Sequence, residues 1–571
     1  GLKTWERFID EATDLVVRLG GSFSGEHGDG QSRGQWLPKM FGPELIEAFH
    51  EFKRIWDPRW KMNPGKVISP YGMTENLRVG PDYNPPQPTT HFHLPADRHS
   101  FARASLRCVG VGECRREGGG TMCPSYMVTR EEMHSTRGRA RLLFEMMNGE
   151  VIDDGWKSDE VKEALDLCLS CKGCKGDCPV NVDMATYKAE FLSHYYEHRL
   201  RPRHAFAFGW IHIWSRLAST APTIANVFTQ MPGLRAIAKW VAGMDQRRRV
   251  PKFAPQSFKQ WFRSRGTIRS TGEPVILWPD TFNNYFHPEI ARAAVEVLEH
   301  AGFSVQVPMQ DVCCGRPLYD YGFLDMARRW LLDLIEKLRP AIRAGIPIVV
   351  LEPSCWAVFK DELGNILPND EDAKRLGQLV YTISDFLDKR AQSFRIPKLH
   401  RRALLHGHCH QKSLDRLNDK TYGELFGEKD LLKKMGVEFD VPATGCCGMA
   451  GAFGFEPGDH YDTSIACAQR ALIPEVTKVP TDRLIISDGF SCREQIEQMT
   501  DRHALHLAQV LQMAIRQGLA GPRSGRPEDV IVQARRREHR IAAIRTATFF
   551  AAGLAGALLV AGILAPTRRK S

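Results

Sequence analysis

The chain has 571 residues, 43% of them apolar and 25% charged, with a net charge of +10. This is ordinary globular usage with material for three or four domains at roughly 150 residues each, and it excludes intrinsic disorder, collagen-like repetition and a polytopic membrane protein. The positive charge forms no long run outside the C-terminus, which argues against nucleic-acid binding; fifteen cysteines in pairs and triplets, with no secretory signal before them, point to metal ligation over a disulfide framework.

The first residue is Gly1, as expected of a piece of a longer protein or a processed product. Thr4 to Leu19 has helical apolar spacing, a Gly-rich turn follows, and a second helix is predicted around Glu44–Trp56, so residues 1–68 read as the end of a fold. Gly21–Gly30 sets Glu26 beside His27 in a flexible loop. A carboxylate there can serve a divalent metal as a hard ligand, and a histidine can take a proton from a substrate hydroxyl near neutral pH. Taken alone, the stretch reads first as a structural turn.

Residues 69–100, rich in Pro, Gly, Asn and His, read as a linker, residues 101–200 as a helical cysteine-bearing domain, and residues 201–271 as a helical connector. Within the second of these, Cys168-x2-Cys171-x2-Cys174-x3-Cys178-Pro179 is the strongest signal in the chain. Three thiolates two residues apart can reach different irons of one cubane, and the cysteine before proline turns away toward another cluster. Zinc sites usually pair two separate knuckles, so a 4Fe-4S cluster is expected. The looser group Cys108-x5-Cys114-x8-Cys123-Pro124 supplies Cys123 to that cluster by the same swapped logic. Cys108, Cys114 and Cys178 then remain for a second cluster, which lacks one cysteine and is three-iron, takes another ligand, or does not form. Lys172 and Lys175 are positioned to add positive charge near the thiolates, or to lie on a solvated loop.

From about residue 272 the texture becomes α/β. Pro274–Leu277 and Ile346–Leu351 read as buried parallel strands with helices such as Pro288–His300 between them. Residues 399–515 repeat the plan of 272–398, which predicts two similar lobes packed together. Each carries Cys-Cys-Gly, where adjacent cysteines can bind different irons of an unusual cluster and glycine permits a sharp turn. The second lobe offers Cys409, Cys446, Cys447 and Cys492; the first offers Cys313, Cys314 and Cys355, with Asp280 where Cys409 falls in its copy. The first lobe therefore holds a metal or only preserves a fold. His406, His408 and His410 flank Cys409 and suit metal or quinone binding or ordinary loop hydrogen bonds, and Cys467 reads as a core thiol. A basic linker over 516–545 leads to Thr546–Ala565, twenty uncharged residues that predict a transmembrane helix, with the larger arginine excess before it placing the soluble domains in the cytoplasm.

Gly21–Gly30, followed by Met62-Asn63-Pro64-Gly65-Lys66, resembles the end of the C-terminal domain of FAD-linked oxidases of the vanillyl-alcohol oxidase superfamily. The cysteine groups and paired Cys-Cys-Gly lobes resemble the glycolate oxidase iron–sulfur subunit and one of the subunits of anaerobic glycerol-3-phosphate dehydrogenase. In this order, over roughly residues 1–515, they resemble the fused FAD and iron–sulfur dehydrogenases of the D-lactate dehydrogenase (cytochrome) type. The resemblance implies an α+β multidomain protein, FAD held mainly by a domain upstream of Gly1, Glu26 as a metal ligand and His27 as the catalytic base. It further implies a D-2-hydroxy acid substrate, D-lactate foremost, and electron flow through 4Fe-4S to a quinone or cytochrome. The other expectation is an electron-transfer subunit without catalysis, served by a separate flavoprotein chain.

Overall fold

A computed structural model describes the chain apart from residues 78, 80–82, 267–270, 419–424, 523–524 and 565–571; for residues 416–418 and 549–564 it describes the backbone alone. The chain divides into two units, Gly1–Pro85 and Pro86–Ser571.

The first unit is built on helices Leu2–Arg18 and Leu37–Trp56. The second is kinked where Gly42, at φ 75°, precedes Pro43, which has no N–H to continue the ladder. Asp10 joins the helices by accepting from Trp36 Nε1 at 2.9 Å and Lys39 Nζ at 2.7 Å. Asp57 closes the second helix, accepting from Lys53 and from the N–H groups of Lys61 and Met62; these bonds hold its carboxyl down at about 2. Phe8, Phe52, Ile55 and Trp56 remain exposed, with the Phe52 and Trp56 rings side by side.

The second unit opens with residues 86–100 already packed. Buried Glu190 accepts the N–H groups of His91 and Phe92, and Phe92 is itself buried. Helices Phe101–Ser105, Pro124–Thr129, Thr136–Asn148, Asp159–Asp166, Gly173–Asp177 and Met184–Tyr195 follow, and Ser100, Ser135, Ser158 and Asp183 cap four of them with side-chain oxygens. The connector forms five further helices between Arg203 and Ser264.

The duplication is plain in the sheets. Lobe one has β1 (Pro274–Leu277), β2 (Ser304–Gln306), β3 (Ile348–Val349) and β4 (Val380–Tyr381), all parallel, in the order β2-β1-β3-β4. Lobe two has β5 (Arg402–Leu405), β6 (Glu438–Asp440) and β7 (Leu484–Ile486) in the order β6-β5-β7, and a parallel bridge from Ile486 to Leu505 stands where lobe one has β4. Helices Pro288–His300 and Leu507–Gln517 pack on one another, and Val297, Leu298, Leu507 and Leu511 join strand residues of both sheets in one core.

The C-terminal helix runs Asp529–Leu564. Its early turns are tied to the lobes, Arg535 to Glu497 at 3.0 Å and Glu538 to Arg292 at 2.9 Å. Among the described residues no helix is long and apolar enough to cross a membrane. This overturns the expected transmembrane helix over 546–565 and, with it, the single-pass membrane location with cytoplasmic domains. From Asp529 to Leu564, most of the expected linker and the expected span form one continuous helix, whose Arg535, Arg536, Arg537, Arg540 and Arg545 belong to its own turns. The part of the expected span from residue 549 onward falls on side chains outside the described residues.

Candidate functional site

The two ferredoxin-type cysteine groups meet because of a glycine. A Cβ on Gly173, between Cys171 and Cys174, would stand 2.7 Å from Met122 N and Thr121 C, so only glycine lets that loop press on the segment leading to Cys123. Cys123 Sγ accepts the N–H of Thr136 at 3.0 Å and lies beside Cys114 and Cys174. Cys174 in turn neighbours Cys168 and Cys178. Cys123 thus touches both expected cluster sets, and the ligand partition between them stays a proposal.

Cys171 neighbours Cys168 and Cys174 and also reaches lobe two. It shares an apolar cluster with Cys409 and Cys446 of lobe two, sealed by Leu167, Leu169 and Phe453. The short helix Gly173–Asp177 lies directly on helix Cys409–Asn418; a Cβ on Gly176 would fall 2.6 Å from Ser413 O. Spacing alone gave no sign of this contact.

Lys172 and Lys175 form a buried ion network. Lys172, 1% exposed, meets Asp361 at 2.5 Å, Glu362 at 3.2 Å and Asp183 at 3.4 Å, while Lys175 meets Asp361 at 2.5 Å and Asp183 at 2.9 Å. They are neither solvated nor net positive charge offered to the thiolates, since carboxylates from lobe one and from the following helix neutralise them.

In lobe two, Cys409 heads its helix, Cys446 and Cys447 follow β6, and Cys492 sits in helix Phe490–Met499 after β7. Cys447 is the centre, in contact with Cys446, Cys492 and the His406 ring, which hold its thiol well below the usual range. Cys114 is likewise brought down to about 6, chiefly by its bond with Cys123. Burial pushes the Cys123, Cys171 and Cys174 thiols up, Cys174 to about 12, and the described cysteines form no disulfide. In lobe one, Cys314 Sγ lies 3.0 Å from Cys355 Sγ, and Cys313 accepts the N–H of Gly315 at 3.4 Å, as Cys446 does from Gly448. Asp280 is buried and its carboxylate is engaged as a helix cap, accepting from Phe282, Asn283 and the Asn283 side chain.

Lobe one's three cysteines and Cys409 line one cavity of about 180 Å³ between the lobes, together with Glu352, His408 and His410. Of the three histidines that flank Cys409, His410 lies in its helix; His406 turns to Cys447, and His408 and His410 line the cavity. Sequence reasoning missed Glu352, whose pKa burial raises to about 7 and which accepts from Ser354 of lobe one and Phe490 of lobe two. It also missed His212, hydrogen-bonded to Asp311 at 2.9 Å beside Cys313. Cys467 is a packed core thiol, its Sγ 3.4 Å from Pro124 O.

Among the described residues no three His, Cys, Asp or Glu side chains form a single-ion site. A cubane spreads its thiolates over four irons, and the backbone N–H groups that reach Cys123, Cys313 and Cys446 are the donors that buried iron-bound sulfur requires. The cysteine groups fit iron–sulfur clusters on that ground. Glu26 and His27 sit exposed in the turn of the first unit, braced by Ser24 O accepting from His27 N at 3.0 Å. A metal at Glu26 would need further ligands.

The comparisons with known proteins agree with this layout. Residues 1–67 match the model of the FAD linked oxidases, C-terminal domain; residues 104–182 match a 4Fe-4S dicluster domain, and residues 281–360 a cysteine-rich domain. FAD and 4Fe-4S are the cofactors of these domains. A D-2-hydroxyglutarate dehydrogenase of Pseudomonas putida is 26% identical over 89% of the chain and 53% of its own length. A subunit of the anaerobic glycerol-3-phosphate dehydrogenase of Escherichia coli is 27% identical over 51% of the chain and 72% of its length, and the E. coli glycolate oxidase iron-sulfur subunit 21% identical over 72% and 93%. The chain spans about half the length of the D-2-hydroxyglutarate dehydrogenases it matches.

Proposed function

We propose that this chain is the electron-transfer half of an FAD-linked, iron–sulfur dehydrogenase acting on a D-2-hydroxy acid, with a quinone or cytochrome as final acceptor. The observation that carries the reading is the placement of Cys171 against Cys409 and Cys446, which joins the ferredoxin-type thiols to those of lobe two without a gap. When bound, the flavin supplies hydride acceptance and the clusters supply one-electron relay. The residues of the chain hold these groups: Cys168, Cys171, Cys174 and Cys123 one cluster, Cys108, Cys114 and Cys178 a second, and the Cys-Cys-Gly cysteines those of the lobes. His27 is assigned the substrate's hydroxyl proton and Glu26 a metal ligand. The exposed apolar side chains Phe52, Ile55 and Trp56 at the end of the second helix suit the flavin-bearing domain as their cover. Several relatives named as D-2-hydroxyglutarate dehydrogenases favour a dicarboxylate over D-lactate.

The second reading, a relay subunit with a separate flavoprotein, is favoured by the likeness to the glycolate oxidase iron-sulfur subunit. Anaerobic titration of the full chain with D-2-hydroxyglutarate, then D-lactate, then dithionite tests both, with bound flavin assayed on the same sample. Bleaching of the cluster absorbance by a hydroxy acid with flavin retained supports the first reading. Bleaching by dithionite alone, without flavin, supports the second, and no bleaching by any reductant contradicts both.

A further inference from the structure

Two cations are buried in the cysteine-bearing helical domain with only neutral partners. Arg139, 2% exposed on helix Thr136–Asn148, donates through Nε to Ala164 O at 2.7 Å and through Nη2 to Ser125 Oγ at 3.0 Å. Lys188, 8% exposed on helix Met184–Tyr195, donates to Asp166 O at 3.0 Å and to Cys168 O at 2.8 Å. Among the described residues neither side chain has a carboxylate oxygen within 4.0 Å. Asp166 gives its own carboxylate, 36% exposed, to Lys162 at 3.1 Å.

The other buried cations of this region are matched. Lys172 and Lys175 share Asp183, Asp361 and Glu362, so two positive groups face three negative ones. Arg316, which donates to Ser170 O at 3.2 Å, pairs with Asp320 at 3.2 Å.

A buried charge is costly unless an opposite charge answers it. Arg139 and Lys188 converge on the end of helix Asp159–Asp166, which leads straight into Cys168, and Arg139 lies close enough to Cys123 to favour its thiolate. Four thiolates holding iron carry net negative charge, which increases on reduction. A lysine at a helix C-terminus also satisfies the last carbonyls, but that role needs a donor and not a charge.

We propose that Arg139 and Lys188 are the counter-charge of the cluster held by Cys168, Cys171, Cys174 and Cys123, and that they raise its reduction potential. The proposal rests on the relay reading above. Both side chains keep their protons and their bonds while the centre beside them gains one electron, and fixed positive charge stabilises that added electron.

The test is an EPR-monitored potentiometric titration of the full cluster-loaded chain with dithionite, beside variants at both positions. Lys188→Gln keeps a donor for Cys168 O and removes the charge; Lys188→Met removes both. Each is expected to disfavour reduction about tenfold, which is ~59 mV for one electron, and Arg139→Gln is expected to shift the midpoint in the same direction. Lys188→Arg and Arg139→Lys, which keep the charge, are expected to titrate with the parent. A Lys188→Gln midpoint equal to the parent's, with the cluster signal intact, overturns the proposal. Loss of the cluster in Lys188→Gln and Lys188→Met but not in Lys188→Arg supports it; loss in all three overturns it, since shape and not charge is then required. A parent that titrates normally beside an unshifted Lys188→Gln leaves the relay reading standing. A parent with no reducible cluster overturns that reading and this role with it.

Discussion

Glu352 Oε2 accepts the backbone N–H of Phe490 at 2.9 Å. One carboxylate therefore caps the helix that carries Cys355 and holds the first residue of the helix that carries Cys492. Burial raises its pKa from 4.5 to about 7. Between those values the folded chain keeps a proton that the unfolded chain has released, so this group makes unfolding easier as pH rises through that window. Glu352→Gln, which cannot ionise, is expected to lose less stability than the parent from pH 5 to pH 7. Parallel thermal melts across that range check it, and identical pH slopes would contradict it.

Lys172 is surrounded by three carboxylates at 1% exposure. Removing one partner of a buried ion network costs about 3–5 kcal/mol, because the remaining charges stay desolvated. Lys172→Ala is expected to fall in that range by denaturant unfolding. The double variant Lys172→Ala, Asp361→Asn should be less destabilised than the two single changes added together.

Gly176 distinguishes packing from propensity. Alanine in place of a helix-interior glycine usually stabilises by about 1 kcal/mol. Here the added Cβ would meet Ser413 O at 2.6 Å and Ser413 Cα at 2.9 Å, which are backbone atoms that cannot move aside. Gly176→Ala is expected to destabilise by about 1–3 kcal/mol, while Gly364→Ala, with nothing within 4 Å of the new carbon, serves as the control. Equal effects of the two changes on the melting temperature would contradict the close contact.

The raised thiols set a pH dependence for cluster assembly. Cys174 stands at about 12 and Cys355 at about 11, both pushed up by burial, with Cys355 partly relieved by its bond to Cys314. Iron must displace their protons, so reconstitution in vitro should slow as pH falls from 8.5 to 7. Recovery of cluster absorbance against pH checks it, and a rate that rises toward acid pH would contradict it.

Much of this architecture was legible in the sequence, for local reasons. β1 and helix Pro288–His300 fall where apolar periodicity placed them, and the repeat of Cys-Cys-Gly after corresponding strands announced the duplicated sheets. The first helix, Leu2–Arg18, starts two residues ahead of the expected Thr4. Contacts between distant segments were not legible. Nothing near Lys172 signals Asp361, 189 residues away, and nothing near Glu352 signals Phe490, so a loop lysine read as free charge and a helix-capping glutamate went unnoticed. The C-terminal helix was misread because a composition window treats the uncharged run apart from the arginine-rich turns that the same helix continues.

The central claim is that Cys171 ligates a cluster lying against the thiols of lobe two. EPR of the dithionite-reduced full chain, beside Cys171→Ser and Cys447→Ser, tests it most directly. The account predicts loss of the ferredoxin-type signal in Cys171→Ser, and in Cys447→Ser its retention with altered relaxation as the neighbouring centre is lost. A full, unchanged signal in Cys171→Ser would contradict it.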